Sequence, residues 1–192
     1  MPDHLSNQKL FAVYLGGRAP KCNTELHDVV FAVGESIEAT YEQLMDQWFG
    51  NPLRLHIDSW IHLDHVDGHR VVLRPQPSPQ AETLYFINLG AYRPGEFTEL
   101  HATAFLVASD EQAVKRRAKA DLLLGTDSIH TDDLYDVDDC LRIVEVAGLH
   151  VHLEPIGTTP PLVPMNGYHM IPADVVQAYA ASRGLSQTSE PK

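Results

Sequence analysis

Apolar and polar positions along the chain alternate in short runs that predict strands twice over, with one helical stretch in each set. Leu10–Gly16 and Leu84–Gly90 read as apolar strands stopped by glycine and followed by proline-containing loops. Glu25–Val33 and Glu99–Val107 predict second strands. In the first of these, Val29, Phe31 and Val33 lie opposite Val30 and Ala32, so the pattern predicts cover on both faces. The period then changes: Ile37, Tyr41, Leu44, Met45 and Trp48 form a helical stripe, with Ser36 as the expected cap and Gly50 as the stop. In the later counterpart Ser109 or Asp110 caps, and Val114, Ala118 and Leu122 carry the stripe to Gly125. Leu53–Val66 alternates and His69–Leu73 closes the set; Leu141–Val146 and Leu149–Leu153 correspond. Beyond Pro155 a proline-rich stretch is expected to run extended to Pro172, which starts a short helix over 173–182 ended by Arg183 and Gly184. The last eight residues are expected to be disordered.

The two sets are copies of one another. Residues 10–39 align without gaps on 84–113, with identities at Leu10/Leu84, Leu15/Leu89, Gly16/Gly90, Pro20/Pro94, Thr24/Thr98, Glu25/Glu99, Leu26/Leu100, His27/His101, Phe31/Phe105, Val33/Val107 and Ala39/Ala113. After small gaps the match continues through Gly50/Gly125, His56/His130 and Asp58/Asp132. It closes with Gly68/Gly148, Val71/Val151, Leu73/Leu153 and Pro75/Pro155. The expected fold is therefore α+β: a tandem duplication of a β-β-α-β-β unit with approximate two-fold pseudo-symmetry, plus a short C-terminal helix. The expected boundaries are a first repeat over 10–75, a Pro-rich linker over 76–83, a second repeat over 84–155, and an extension, helix and tail over 156–192.

Certain residues of this pattern carry a family likeness. Leu15-Gly16-Gly17 with Pro20, Glu25-Leu26-His27-Asp28-Val29 with Phe31, Gly34-Glu35-Ser36 and Trp48-Phe49-Gly50 resemble a bacterial family catalogued as domain of unknown function 1543. The second repeat keeps Glu99-Leu100-His101 and Phe105 but has Ala102 for Asp28, Leu124 for Phe49 and no tryptophan. The resemblance spans most of residues 10–155 and implies one or two copies of such a unit per chain. It implies no activity.

Composition narrows the field. The 192 residues carry 26 Asp+Glu against 14 Lys+Arg, a net charge of −12, with 11 histidines. That acidity argues against nucleic acid or an anionic membrane as partner, because both need a basic surface. No run approaches the ~20 apolar residues of a membrane helix. The polar N-terminus lacks a signal-peptide core, and only Cys22 and Cys140 are present, so a reduced cytoplasmic setting is expected.

Two constellations could carry chemistry. Glu25/His27 and Glu99/His101 are two apart, so each pair shares one face of a strand. A carboxylate beside an imidazole orients it as a base or joins it in binding a metal or ligand; the plain alternative is a buried polar pair that ties the strand to its loop. The second is the run His56, Asp58, Trp60, His62 and Asp64, which alternation places on one face, opposite Leu55, Ile57, Ile61 and Leu63. Imidazole and carboxylate donors ~6.6–6.8 Å apart along a strand suit zinc, iron or manganese, although a solvated outer face gives the same pattern. His56, Asp58, His62, His130 and Asp132 are the metal-ligand candidates, and a site joining His27 to His56 and Asp58, twice per chain, is the sharp form of the idea. Asp132, Asp133, Asp136, Asp138 and Asp139 read as a solvated acidic loop, since an EF-hand's spacing is absent. Leu15–Arg18 reads as a turn, because no P-loop lysine or helix follows.

No Gly-x-Ser-x-Gly elbow, dinucleotide fingerprint or Cys-His nucleophile is present. A duplicated His-x-Ser/Thr phosphoesterase fails because His27-Asp28-Val29 lacks the hydroxyl. The preferred reading on sequence is a non-enzymatic binding module for a small ligand or protein partner, with a homo-oligomer left open. The alternative is a metal-binding protein or metal-dependent enzyme using the Glu-x-His and His-x-Asp pairs, with a divalent transition metal as cofactor.

Overall fold

A computed structural model of the chain describes residues 7–91, 95–122 and 137–185. It is α+β, built almost wholly from antiparallel strands, and divides into two compact units: residues 1–63 with 161–192, and residues 64–160. The spatial division cuts across the sequence duplication, because the last hairpin of the first repeat lies in the second unit.

The first unit holds β1 (Lys9–Gly17), β2 (Leu26–Gly34), α1 (Tyr41–Gln47), β3 (His56–His62), and, from beyond the second repeat, β11 (Met165–Met170) and α3 (Ala173–Ser182). Its sheet runs β11-β3-β1-β2. Alternation decides its core face: Phe11, Val13 and Leu15 of β1, Val30 and Ala32 of β2 and Ile57 of β3 pack against Leu44, Met45 and Trp48 of the helical stripe and Val176 of α3. Leu44, Val13 and Leu15 are wholly buried, each worth about 1.5–3 kcal/mol of transfer free energy.

Four local expectations change. β2 is the edge strand of the described sheet, with Val29 and Phe31 only half-buried, so it has helical cover on one face alone. Its open edge is occupied instead by side-chain amides: Gln43 accepts from the N–H of Val33 at 3.0 Å and donates to its carbonyl at 2.7 Å, and Gln47 donates to the carbonyl of Phe31. An amide reproduces what a neighbouring strand would offer, which blunts the edge. Ser36 does not cap the helix. A 3-10 turn, Glu38–Thr40, comes first, and Ser36 bonds Glu38, whose carboxyl is thereby held below its ordinary value. The alternating run 53–66 is not one strand: Asn51 caps a 3-10 turn at Pro52–Arg54, β3 follows, and β4 (His65–Val66) already belongs to the second unit. Lastly, the proline-rich extension yields the strand β11 after Pro164, paired to β3.

In the second unit β4, β5 (His69–Arg74), β9 (Glu145–Val146) and β10 (Leu149–Pro155) make one sheet in the order β4-β5-β10-β9. Val72 faces His152 across β5 and β10, and these are equivalent positions of the two repeats. The terminal hairpins therefore pair about a local pseudo-two-fold axis. A three-stranded sheet of β7 (Leu100–Ala108), β6 (Thr83–Ala91) and β8 (Val137–Ile143) carries α2 (Glu111–Leu122), with Ile87, Leu89, Val114 and Ala118 in its core. Of the two expected caps, Ser109 and Asp110, it is Asp110 that caps α2, accepting from the Ala113 N–H at 2.7 Å.

The same hairpin turn closes both terminal hairpins. Asp67-Gly68 and Ala147-Gly148 have φ of 51°, 79° and 51°, 78°, the left-handed pair that a two-residue turn demands. Glycine is required at Gly68 twice over, because a Cβ there would also stand 2.6 Å from the Gly157 carbonyl oxygen.

Candidate functional site

Three strands of the first unit place the site. In the ladder, Gly16 of β1 pairs with His27 of β2 on one side and with His56 of β3 on the other. The two imidazoles thus rise from strands flanking a residue with no side chain. Neighbouring strands lie about 4.8 Å apart, so the notch over Gly16 is what lets the rings lean together. A Cβ on Gly16 would stand 2.4 Å from Nε2 of His56 and 2.5 Å from Oδ2 of Asp58. Glu25 joins from just before β2.

Asp58 arrives through an irregularity. On the β1 side Tyr14 pairs with Ser59 and Leu15 with Ile57; on the β11 side Asn166 pairs with Ser59 and His169 with Ile57. Asp58 has no registered partner in either ladder: it is the extra residue of a β-bulge, a device that re-aims a side chain. The bulge also reverses the alternation beyond it. Trp60 packs on the core face, and His62 pairs with core residue Phe11, their rings 5.7 Å apart. His62 therefore lies on the face opposite His56, which corrects the single-face reading and removes it from the candidate ligands.

Four groups converge. Nε2 of His27 is 3.5 Å from Glu25 Oε1 and 3.3 Å from Asp58 Oδ2; Nε2 of His56 is 3.2 Å from Glu25 Oε1 and 3.4 Å from Asp58 Oδ1. Glu25, His56 and Asp58 offer donor atoms that all lie within 4.8 Å of one another. The contacts are close, yet the angles at His56 do not make hydrogen bonds. Both its ring nitrogens, and Oδ2 of Asp58, are buried without a hydrogen-bond partner among the described residues. His56 is 1% exposed, and an orphaned buried polar group costs about 1–3 kcal/mol. Glu25, His56 and Asp58 are the three that meet closely enough to share one ion, and His27 stands beside both carboxylates, at 3.5 Å from Glu25 and 3.3 Å from Asp58.

Two phenols border the cluster. Tyr14 stacks on His27, ring centroids 5.3 Å apart and planes 13° apart, and Tyr168 of β11 covers His56 at 4.2 Å. Burial, and then the charge of Asp58, push the Tyr14 phenol above its ordinary value, so it keeps its proton. Sequence reasoning missed Gly16, Tyr14 and Tyr168 as site residues. The Gly16/Gly90 identity was a signal for the first; Tyr168 had none, since it reaches the site only through the pairing of β11.

Among the described residues the second repeat keeps part of this set. Glu99 and His101 keep their pairing, with His101 Nε2 3.6 Å from Glu99 Oε2, and Gly90 pairs with His101 as Gly16 does with His27. His130 and Asp132 lie outside the described residues, as does most of the acidic run. Moreover, β8 pairs with β6 through Leu89/Val137 and Asn88/Asp139, the pattern of Leu15/Ile57 and Tyr14/Ser59. The residue in Asp58's place is therefore Asp138, not Asp132, because the extra six residues of the second repeat precede β8. On the same offset of 80 residues, Asp136 is the sequence counterpart of His56.

A crystal structure of a protein Il1583 from Idiomarina loihiensis is similar to this chain: 39% identity and a TM-score of 0.69, over 86% of this chain and 99% of that one. No curated protein matches. No helix among the described residues is long and apolar enough to cross a membrane. A family model matches twice, at residues 22–73 and 96–147, together more than half of the sequence; the chain belongs to the family described as Domain of Unknown Function (DUF1543).

Proposed function

For this two-copy member of a family without an assigned activity, we propose a metal-binding protein that holds one divalent transition-metal ion per chain through Glu25, His27, His56 and Asp58. The observation that carries the reading is the buried, unpartnered imidazole of His56, which shares the notch over Gly16 with Asp58 and lies beside Glu25, with His27 against Asp58. Two carboxylates balance a dication, and nitrogen and oxygen donors without thiolate suit zinc, iron(II) or manganese over softer ions. This reading takes the alternative weighed on sequence over the non-enzymatic binding module. It also departs from a site repeated twice, since Asp136 stands in sequence where the second repeat needs an imidazole.

The small-ligand reading keeps one observation of its own: an open hollow of about 450 Å³ beside α1 and α3, bordered by Glu42, Met45, Asp174, Val175 and Tyr179. It has no buried polar group comparable to His56.

Elemental analysis of protein purified without an affinity tag, followed by calorimetric titration of zinc and manganese into chelator-treated protein, tests the proposal. One equivalent per chain, lost in His27→Ala and kept in His101→Ala, is the expected result. His27 is partly exposed, so its removal leaves the core intact. No metal and no binding, or two equivalents with both variants affected, would overturn it.

A further inference from the structure

We infer that the metal centre of the first repeat is open rather than a structural clamp, leaving a solvent-facing coordination position for a neutral or monoanionic oxygen donor between the phenols of Tyr14 and Tyr168. This rests on the metal-binding reading and deepens it.

The fold itself does not need a clamp. The second repeat forms β6, β7, α2 and β8 with the same registers, including the bulge, although Asp136 replaces His56 in its sequence. A structural metal is bound where the unit cannot fold without it, and here a repeat whose sequence has Asp136 in place of His56 forms the same elements. The donors of the first repeat also approach from around the notch. His27 comes from β2, His56 and Asp58 from β3, and Gly16 on β1 forms the floor. The side chains of Glu25, His27 and Asp58 stay 42%, 39% and 27% exposed, so the cluster opens to solvent on the side away from the floor.

The two tyrosines stand on that side, one against each imidazole, and both are substantially exposed, Tyr14 at 42% and Tyr168 at 67%. Neither belongs to the duplicated pattern: Asn88 occupies Tyr14's place in the second repeat, and Tyr168 comes from the extension. A dication with Glu25 and Asp58 is charge-neutral, which disfavours a multiply charged anion at the open position. A phenol O–H beside that position can donate to a bound oxygen.

Manganese(II) is the probe. Water-proton relaxation of the manganese-loaded protein is expected to show at least one exchangeable inner-sphere water. Acetate should displace that water, and phosphate at equal concentration should displace it less. Tyr14→Phe is expected to leave manganese affinity within about two-fold while weakening acetate displacement about ten-fold or more, the worth of one hydrogen bond to a charged group. Manganese bound without relaxation enhancement would overturn the open centre and leave the metal-binding reading standing; manganese not bound at all would overturn both. Equal acetate displacement in Tyr14→Phe would remove the phenol's role, and phosphate displacing as well as acetate would remove the charge selection.

Discussion

In the first repeat the N–H of Val33, at the open edge of β2, is taken by the side-chain amide of Gln43; at the equivalent Val107 of the second repeat it is taken by the carboxylate of Asp67 at 2.9 Å. The residue in Gln43's place is Arg117, which holds Asp67 through both guanidinium nitrogens. One exposed strand edge is therefore closed by a neighbour on its own helix, the other by an ion pair reaching from a hairpin turn. The same division runs through the rest of the duplication. Backbone-defining features recur in both repeats: the registers, the bulge, the left-handed turns and the buried positions Thr40/Val114 and Leu44/Ala118. The side chains that meet solvent or one another have diverged, and among the described residues only the first repeat assembles two imidazoles and two carboxylates. Duplicated sequence preserves a fold more readily than a site, because a fold tolerates any apolar side chain of fitting volume whereas a donor set tolerates few replacements.

The sharpest way to break this comparison is at the paired histidines. His27→Ala should lower metal affinity about 100-fold or more, given that even outer-sphere partners of a metal are worth about 10–100-fold; His101→Ala should leave it unchanged in the same calorimetric titration. Equal losses would show that the repeats act as equals. Next in size are the two edge closures. Asp67→Ala removes the acceptor of Val107 and the partner of Arg117 and should cost about 2–3 kcal/mol in urea unfolding, while Gln43→Ala should cost about 1 kcal/mol. The order would reverse if the amide were the stronger closure.

The hairpin turns offer a smaller contrast with the opposite sign. Asp67 suits the left-handed region it occupies, whereas Ala147 at φ 51° does not. Ala147→Asn should therefore stabilise by about 0.5–1 kcal/mol, seen as a higher urea midpoint at unchanged slope. The smallest effect is in pH. Burial by itself would raise the Asp67 carboxyl, but the hydrogen bonds from Arg117 and Val107 and the nearby charges of Arg117 and His69 outweigh it and hold the group below its ordinary value. A lowered folded value contributes stability that is full above the unfolded pKa, about 3.9, and is lost as pH falls through the folded one. The stability advantage of the parent over Asp67→Asn should thus be present above about pH 4 and shrink as pH falls below it. An advantage that grew on acidification would contradict the ion pair.

Much of the fold was legible in the chain. The strand pairs, both helical stripes, Asp110 as a cap and the C-terminal helix follow from period and stop signals, and the Glu-x-His pairs were found by self-comparison. Three things were not. The reversal of faces at Asp58 needs a bulge, and a bulge leaves no mark in an alternating run, so His62 was placed on the wrong face. Placing the six extra residues of the second repeat after His130 and Asp132 keeps two identities and placing them before β8 keeps one, so identity favours the wrong placement and only the pairing of Leu89 with Val137 corrects it. The amide closure at Gln43 depends on the distance from helix to strand edge.

The sequence by itself determined that this protein is a duplication, which residues form its elements and which of them carry chemistry, because period, glycine and proline act locally. Tertiary structure alone decided what those residues do together. It sent the last hairpin of the first repeat into a sheet with that of the second, brought Tyr168 from the extension over His56, and turned Asp58 toward Gly16. Each of these depends on strand register across long stretches of chain, which no local pattern encodes.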